Sequence, residues 1–185
     1  MQAARGASLS DVSDPQPAQT RPRPTRYRAL VALAWLVGLG VDQVTKVLAA
    51  DRLSDRSDVP VVGTLLQLHL TRNAGAAFST GTQFTVVLSC LAAVATVVVV
   101  VIALRARTVL WSVALGLLLA GITGNLTDRL LRAPGVLRGQ VIDFLMLPHW
   151  PVFNVADVCI TLAAALIVVQ AYRGVRLDGR REERS

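Results

Sequence analysis

Four apolar runs, each close to the length needed to cross a bilayer, most constrain what this chain can fold into. They cover residues 29–50, 84–104, 108–127 and 153–172. A helix of roughly 20 residues crosses the roughly 30 Å of hydrocarbon, and backbone groups in lipid must be hydrogen-bonded within their own segment. The chain is 53% hydrophobic and only 5% aromatic, so its apolar content is aliphatic. We predict an all-α membrane protein with four transmembrane helices.

The arginines are concentrated on one side of this arrangement. They are frequent in residues 1–28, in the short link 105–107 and in residues 173–185, and sparser in 51–82 and 129–152. Basic segments stay on the cytoplasmic side of a membrane. We therefore expect both termini on the cytoplasmic side and segments 51–82 and 129–152 on the outer face. Topology then accounts for the net charge of +7, and we expect no nucleic-acid partner.

The composition predicts three parts of the chain. Residues 1–25 are rich in Ser, Pro, Gln and Arg without an apolar period, which is typical of a disordered basic tail. Residues 26–172 form the four-helix membrane domain, and residues 173–185 form a basic cytoplasmic tail. The first apolar run is too long for a signal-peptide core and has no cleavage site after it, so we expect it to remain as an anchor. Cys90 and Cys159 lie inside apolar runs and are interpreted as small packing residues.

The two outer segments carry strand patterns. In residues 66–70, Leu alternates with polar residues, which is the period of a strand. Residues 61–63 precede it as a candidate hairpin arm. In the second outer segment, residues 136–137 and 141–142 flank Arg138-Gly139, which predicts another hairpin. We expect a small β-element on the outer membrane face.

Polar residues collect in motifs at the outer ends of the predicted helices. The motifs are Asp42 with Lys46; Asn73-Ala-Gly-Ala-Ala-Phe-Ser79; Gly124-Asn-Leu-Thr-Asp-Arg129; Val141-Ile-Asp-Phe144; and Phe153-Asn-Val-Ala-Asp157. The topology was inferred from arginines alone, and it places all of them at one membrane face.

Each motif also has a purely structural interpretation. Asp42 and Lys46, four residues apart on one helix face, could form an ion pair. Asn73 could belong to a turn, Asp128 with Arg129 to a helix end, and Asp143 to a solvated loop. Together, however, the motifs bring several carboxyl groups towards one low-dielectric boundary.

Three acids, Asp128, Asp143 and Asp157, lie around one outer loop. An acid within a membrane helix, such as Asp157, is costly and is by default a candidate for function. Carboxyl groups packed together near lipid have pKa values pushed apart, so that one is protonated while another is ionised. This arrangement suits acid–base chemistry.

Other chemistries fit the sequence less well. His69 and His149 are isolated, so we expect no metal site, and we expect no cofactor. A serine–lysine dyad would have to use Lys46, whose expected partner is Asp42. A transporter or channel could line an ion path with Asp42, Lys46, Asp128 and Asp157, although such sites usually lie at the midplane. A membrane scaffold could use its polar residues only to join helices, which leaves Asp143 unexplained.

The five motifs, in this order on four helices, resemble those of the bacterial lipoprotein signal peptidase family, also called signal peptidase II. The resemblance covers roughly residues 30–172. It implies an aspartic endopeptidase of the bacterial cytoplasmic membrane, with its active site at the outer face and an outer β-cradle. The implied substrates are prolipoproteins bearing a diacylglyceryl group, which are cleaved just before the modified cysteine. Membrane lipid and globomycin-type inhibitors are the other implied partners.

The resemblance also implies the site residues. The catalytic pair falls on Asp143 and Asp157. Substrate-binding or supporting positions fall on Asp42, Lys46, Asn73, Gly75, Asn125, Asp128, Arg129 and Asn154. Residues 130–140 are longer, and residues 145–152 shorter, than a compact family pattern, so the outer loop is expected to differ in detail.

Overall fold

The computed structural model describes residues 24–54, 57–75 and 84–181. In these ranges the chain forms helices and a small antiparallel sheet. The helices are α1 (Pro24–Arg52), α2 (Thr85–Ala103), α3 (Val109–Leu131) and α4 (Val155–Tyr172), and the strands are β1 (Val59–Val62), β2 (Leu66–Asn73) and β3 (Val141–Met146). The predicted fold class is confirmed. The tail predicted for residues 1–25 lies almost entirely outside the described residues.

All four helices are long and apolar enough to cross a membrane. The most apolar is α2, whose central window has a mean hydropathy of 3.0. Large aliphatic side chains on its surface remain exposed, such as Leu91 and Val97, and lipid tails would cover them. Cys90 is exposed on the same helix, so its interpretation as a packing residue is wrong, whereas Cys159 is buried as expected.

Helix α3 lies at the centre of the bundle and approaches its neighbours through small residues. A Cβ added to Gly116 would lie 2.6 Å from the Cβ of Ala34 on α1. On α4, the carbonyl of Ala156 occupies the corresponding space beside Gly121. Small residues allow membrane helices to pack with their backbones close together. In lipid, these van der Waals contacts stabilise helix association, because the hydrophobic effect does not act between the helices. This close packing fixes the ends of α1, α3 and α4 relative to one another.

The sheet has the order β1-β2-β3 with antiparallel neighbours. Val59 pairs with Leu68 across the first ladder, and Thr71 pairs with Asp143 across the second. The hairpin predicted from residues 61–63 and 66–70 is therefore confirmed. The second ladder brings Asp143 beside the end of β2.

The second predicted hairpin is wrong. Residues 136–137 belong to no strand, and β3 pairs with β2 instead. Gly139 explains the difference, because its backbone N–H donates to the carbonyl of Arg129 at 3.0 Å. A Cβ at this position would collide with the carbonyl of Asp128. The stretch that looked like a strand arm thus closes the end of α3.

Candidate active site

The sequence motifs converge where the C-terminal ends of α1 and α3 meet the start of α4 and the strands β2 and β3. Side chains from all of these elements join one continuous hydrogen-bond network. Its members are Asp42, Lys46, Asn73, Asn125, Asp128, Asp143, Asn154 and Asp157. Residues far apart in the sequence therefore act as one polar cluster at one end of the helix bundle.

Asp143 lies on β3 and is 3% exposed. Its Oδ2 accepts a hydrogen bond from Asn73 Nδ2 at 3.0 Å, and its Oδ1 accepts one from Asn154 Nδ2 at 2.6 Å. Burial raises the pKa of Asp143 to about 6, and the charge of Asp157 acts in the same direction, while the hydrogen bonds from the two asparagines oppose the rise. Asp143 can thus exchange a proton in mildly acidic conditions.

Asp157 is held by the start of α4. Its Oδ2 accepts from the backbone N–H of Asn154 at 3.1 Å, and the side chain of Asn154 accepts from the backbone N–H of Asp157 at 3.1 Å. This reciprocal pair is a capping box, which fixes both side chains at the helix N-terminus. The other carboxylate oxygen, Oδ1, accepts from Asn125 Nδ2 at 3.0 Å. Asp157 is half-buried, and the part of its surface that stays accessible can be reached by a substrate.

Asn154 connects the two acids. It is fully buried, and its Nδ2 donates to both Asp143 and the Oδ1 of Asn125, the latter at 3.1 Å. Its backbone N–H meanwhile donates to Asp157. One residue therefore sets the position of Asp143 relative to Asp157, a central role that the sequence did not reveal.

Lys46 is the charged centre of the network. Its Nζ lies 2.9 Å from each of three oxygens: Asp42 Oδ2, Asp128 Oδ2 and Asn125 Oδ1. An ammonium group has three donors, and each has a partner here. Lys46, Asp42 and Asp128 have fully buried side chains. The predicted Asp42–Lys46 pair is confirmed, and the structure extends it to a second acid.

Asp42 also joins α1 to α4. Its Oδ1 accepts from the backbone N–H of Ala156 at 2.8 Å, in the first turn of α4. Gly124 leaves room for this contact, because a Cβ there would lie 2.5 Å from Asp42 Oδ2. The glycine of the third motif is thus needed for close approach. Gln43 donates to the carbonyl of Gly124 at 3.1 Å and strengthens the same contact.

Asp128 does not bond to Arg129, its neighbour in the sequence motif, and has other partners. Its Oδ1 accepts from Arg132 Nε at 2.6 Å, and its Oδ2 accepts from the backbone N–H of Ile142 at 3.2 Å. Asp128 therefore ties α3 to β3, one residue before Asp143. Sequence reasoning missed Arg132, although its i, i+4 spacing from Asp128 was visible.

Arg129 is not paired with Asp128. Its Nη1 is buried and has no hydrogen-bond partner among the described residues. The guanidinium interacts electrostatically with Asp143 and Asp128 at longer range. A buried donor without an acceptor is costly, which makes it a candidate for contact with a substrate.

The second motif is described only as far as Gly75. The backbone N–H of Gly75 donates to Asn73 Oδ1 at 3.0 Å, which fixes the amide so that Nδ2 faces Asp143. Gly75 has a φ of 145°, which favours glycine. Residues 76–79 of this motif lie outside the described residues. Asn73 and Gly75 are thus in contact with each other, and Asn73 also with Asp143; their supporting roles stay predictions.

The described residues contain no group of three or more His, Cys, Asp or Glu side chains that could hold a metal ion. His69 pairs with Asp58 at 2.6 Å on the exposed β1–β2 hairpin. The arrangement near Asp143 instead offers carboxyl groups and amides. These can hold and transfer protons.

Comparison with known proteins decides which family carries this arrangement. A family described as Signal peptidase (SPase) II matches residues 34–173 of the chain. The chain belongs to the signal peptidase II family. The match includes all eight residues of the network, since each of them falls between residues 34 and 173.

Several proteins named lipoprotein signal peptidase are similar to this member of the family over most of their length. The one from Mycobacterium avium is 45% identical over 167 residues, which are 89% of this chain and 91% of the relative. The one from Leifsonia xyli subsp. xyli is 46% identical over 158 residues, covering 83% of this chain and 73% of the relative. The one from Streptomyces coelicolor is 40% identical over 161 residues, with coverages of 85% and 79%.

Two solved structures, both titled as a bacterial membrane enzyme determined by the in meso method, share the fold. The first, at 2.3 Å resolution, has a TM-score of 0.71 and 24% identity, and the similarity covers 85% of this chain and 95% of the other. The second, at 1.9 Å resolution, has a TM-score of 0.68 and 26% identity, with coverages of 77% and 92%. The arrangement of four helices and a small sheet is therefore shared with experimentally determined membrane proteins.

Proposed function

We propose that this member of the signal peptidase II family removes the signal peptide from diacylglyceryl-modified prolipoproteins, and that it does so as an aspartic endopeptidase with Asp143 and Asp157 as its catalytic pair. The observation that carries the proposal is the bridge through Asn154. It holds a buried acid with a raised pKa and a helix-capping acid in one network. Membership of the signal peptidase II family supports peptide cleavage as the activity.

The two acids can divide the work of peptide hydrolysis. Asp157, as the carboxylate, takes a proton from a water molecule, whose oxygen attacks the scissile carbonyl carbon. Asp143, as the protonated acid, donates to the carbonyl oxygen. When the tetrahedral intermediate collapses, the C–N bond breaks and the amine of the new N-terminus takes up the proton held by Asp157. Asp143 recovers its proton from one of the two hydroxyl groups on the carbon as the carbonyl forms again. The two acids are coupled, so their protonation is a property of the pair and not of either residue alone.

The surrounding residues support this chemistry in different ways. Asn73 and Asn154 hold Asp143, and Asn125 holds Asp157. The unpartnered Nη1 of Arg129 is suited to donate to a backbone carbonyl of the substrate. No cofactor takes part in these steps. Globomycin-type cyclic peptides, which present backbone carbonyls of their own, would compete for the same donor.

The position of the network at one end of the bundle suits a lipid-modified substrate. The diacylglyceryl chains can remain in the bilayer beside the exposed aliphatic surface of the helices, while the peptide bond reaches Asp143 and Asp157. The lipid then supplies binding energy at a distance from the reacting bond. The rival interpretation as a transporter or channel is not supported, because the acids are engaged in one network at one end of the bundle and the family is a peptidase family.

The direct test is incubation of the purified full chain with a diacylglyceryl-modified prolipoprotein. We expect a cut immediately before the lipidated cysteine, loss of the cut in globomycin, and full activity in a metal chelator. The same precursor without its lipid is the control and should be cut poorly. Activity that disappears in chelator and returns with zinc would contradict the aspartic mechanism.

The raised pKa of Asp143 predicts the pH dependence of catalysis. Asp143 must carry a proton to act as the acid, so kcat/KM should fall as the pH rises through about 6. The hydrogen bond from Asn73 stabilises the ionised form, so Asn73→Ala should raise this pKa further and move the falling limb to higher pH. The measurement is kcat/KM on both sides of that pH for both proteins. A falling limb that stays in place in Asn73→Ala would contradict the assignment of the limb to Asp143.

The arginine distribution predicts the orientation of the chain. The background is a chain with Cys90→Ala and Cys159→Ala. We compare Asp58→Cys, which is exposed next to β1 at the end of the bundle that carries the network, with Arg105→Cys, which is exposed in the α2–α3 link. An impermeant maleimide added to intact cells should label position 58 and spare position 105, since the arginine-rich end faces the cytoplasm. Labelling at 105 from outside would reverse the topology and place Asp143 on the inner face.

A further inference from the structure

A small hairpin follows α4 at the end of the bundle opposite to Asp143. We call residues 175–181 the C-terminal hairpin. Val175 pairs with Arg181, and the backbone N–H of Arg176 donates to the carbonyl of Arg180 at 2.9 Å. The turn closes where Gly179 donates to the carbonyl of Arg176 at 2.9 Å. The segment predicted as a basic tail is thus folded as far as residue 181.

The C-terminal hairpin is docked on the link between α2 and α3. The backbone N–H of Arg107 donates to the carbonyl of Leu177 at 2.8 Å, and the indole Nε1 of Trp111 donates to the carbonyl of Val175 at 2.9 Å. The side chain of Leu177 packs against the apolar cluster between α1, α2 and α3. These contacts hold the link and the C-terminal hairpin together as one surface.

This surface carries far more positive than negative charge. In residues 104–108 and 173–181, which are all described, the acid is Asp178 and the arginines are Arg105, Arg107, Arg173, Arg176, Arg180 and Arg181. We call these six arginines the basic surface. The backbone N–H of Arg180 already donates to Asp178 at 3.0 Å, and its Nε lies 3.6 Å from the same carboxylate.

Two features of the basic surface call for an anion. Arg176 and Arg180 are opposite each other across the C-terminal hairpin, and like charges in this position destabilise a strand pair. The Nη1 of Arg107 is buried and has no hydrogen-bond partner among the described residues. An oxygen-rich anion beside Arg176 and Arg180 would offset their repulsion, and an anion oxygen that reaches Arg107 Nη1 would supply its missing acceptor. Planar guanidinium groups match phosphate oxygens well.

We propose that the basic surface binds the phosphate of an anionic phospholipid in the leaflet opposite to the active site. We choose a lipid over a soluble anion because exposed apolar side chains lie beside the basic surface. Leu104, Val168 and Tyr172 are 48%, 66% and 81% exposed at the same end of the bundle. Acyl chains can cover these side chains while the headgroup meets the arginines. The proposal does not depend on the catalytic assignment, since the two regions lie at opposite ends of the helices.

The test is native mass spectrometry of the purified full chain titrated with phosphatidylglycerol or with phosphatidylcholine of the same acyl chains. We expect selective retention of phosphatidylglycerol. Each arginine near a membrane surface changes affinity about fivefold, so Arg176→Gln/Arg180→Gln should weaken retention roughly thirtyfold. Arg176→Lys/Arg180→Lys, which keeps both charges but loses the planar guanidinium groups, should retain part of it. The matched control is Arg52→Gln/Arg138→Gln, two exposed arginines at the other end of the bundle, which should bind like the native chain.

Four results would overturn the proposal. Equal retention of the two lipids would remove the headgroup preference, and equal loss in the control pair would show a general effect of charge. Competition by glycerol phosphate as strong as that by phosphatidylglycerol would assign the surface to a soluble anion. Glu182→Gln/Glu183→Gln provides an independent check of the proposal, because these two acids follow the C-terminal hairpin in the sequence. Removing them should leave retention unchanged or make it stronger, and weaker retention would contradict the proposal.

Discussion

Replacement of Asp143 by Asn, or of Asp157 by Asn, is expected to abolish cleavage of a lipidated prolipoprotein while the protein still inserts and folds. Asn has nearly the shape of Asp and can keep part of its hydrogen bonding, but it cannot act as an acid or a base here. General acid–base catalysis by one group contributes about a hundred- to ten-thousandfold. The loss in each variant should therefore be in turnover and not in substrate binding.

The double variant Asp143→Asn/Asp157→Asn should be hardly worse than either single one. The two acids share one proton cycle, so the second substitution removes a function that has already been lost. The measurement is single-turnover cleavage, with binding of the lipidated substrate followed separately. Losses that multiply in the double variant would contradict a coupled pair.

Asp128→Asn is the matched contrast, because it changes a third acid of the same network. Asp128 is engaged by Lys46, Arg132 and the backbone of Ile142, so its loss should lower stability or substrate affinity and leave measurable turnover. Near-normal turnover in Asp143→Asn beside an inactive Asp128→Asn would show that Asp128, and not Asp143, is the partner of Asp157.

Much of the fold could be predicted because lipid simplifies the problem. Four apolar runs of the right length must be helices, and the Leu alternation in residues 66–70 was enough to identify β2. Strand pairing was harder. Residues 136–137 have a strand-like composition, but they lie in a turn because Gly139 packs against the end of α3. Such contacts depend on where a helix ends in space, which a local pattern does not contain.

The members of the candidate site could be predicted, but their connections could not. The i, i+4 spacing of Asp42 and Lys46 indicated their ion pair, because both residues lie on one helix. The contacts of Lys46 with Asn125 and Asp128 depend on the packing of α1 against α3. The bridge through Asn154 requires α4 and β3 to meet, which is a tertiary event with no local pattern.

Lys46→Met is expected to be the most destabilising single substitution in the network. Met fills a similar volume but removes the positive charge that faces two buried carboxylates, Asp42 and Asp128. Breaking a buried ion pair by removing one partner costs about 3–5 kcal/mol, because the remaining charge is left without compensation. Asp128 keeps Arg132 as a partner, so the greater part of the cost falls on Asp42, which has no other cation within salt-bridge distance among the described residues.

The measurement is reversible unfolding in mixed micelles, with Thr45→Val as the control on the same helix. Within the described part of the chain, the Thr45 hydroxyl donates only to carbonyls of its own helix, so that variant should stay within about 0.5 kcal/mol of the native chain. Asp42→Asn/Lys46→Met removes both charges of the pair and should regain part of the lost stability. A double variant that is less stable than Lys46→Met alone would contradict the view that an uncompensated Asp42 is the cause. Because Lys46 also binds Asn125, which in turn holds Asp157, folded Lys46→Met should in addition turn over substrate more slowly than the Thr45→Val control.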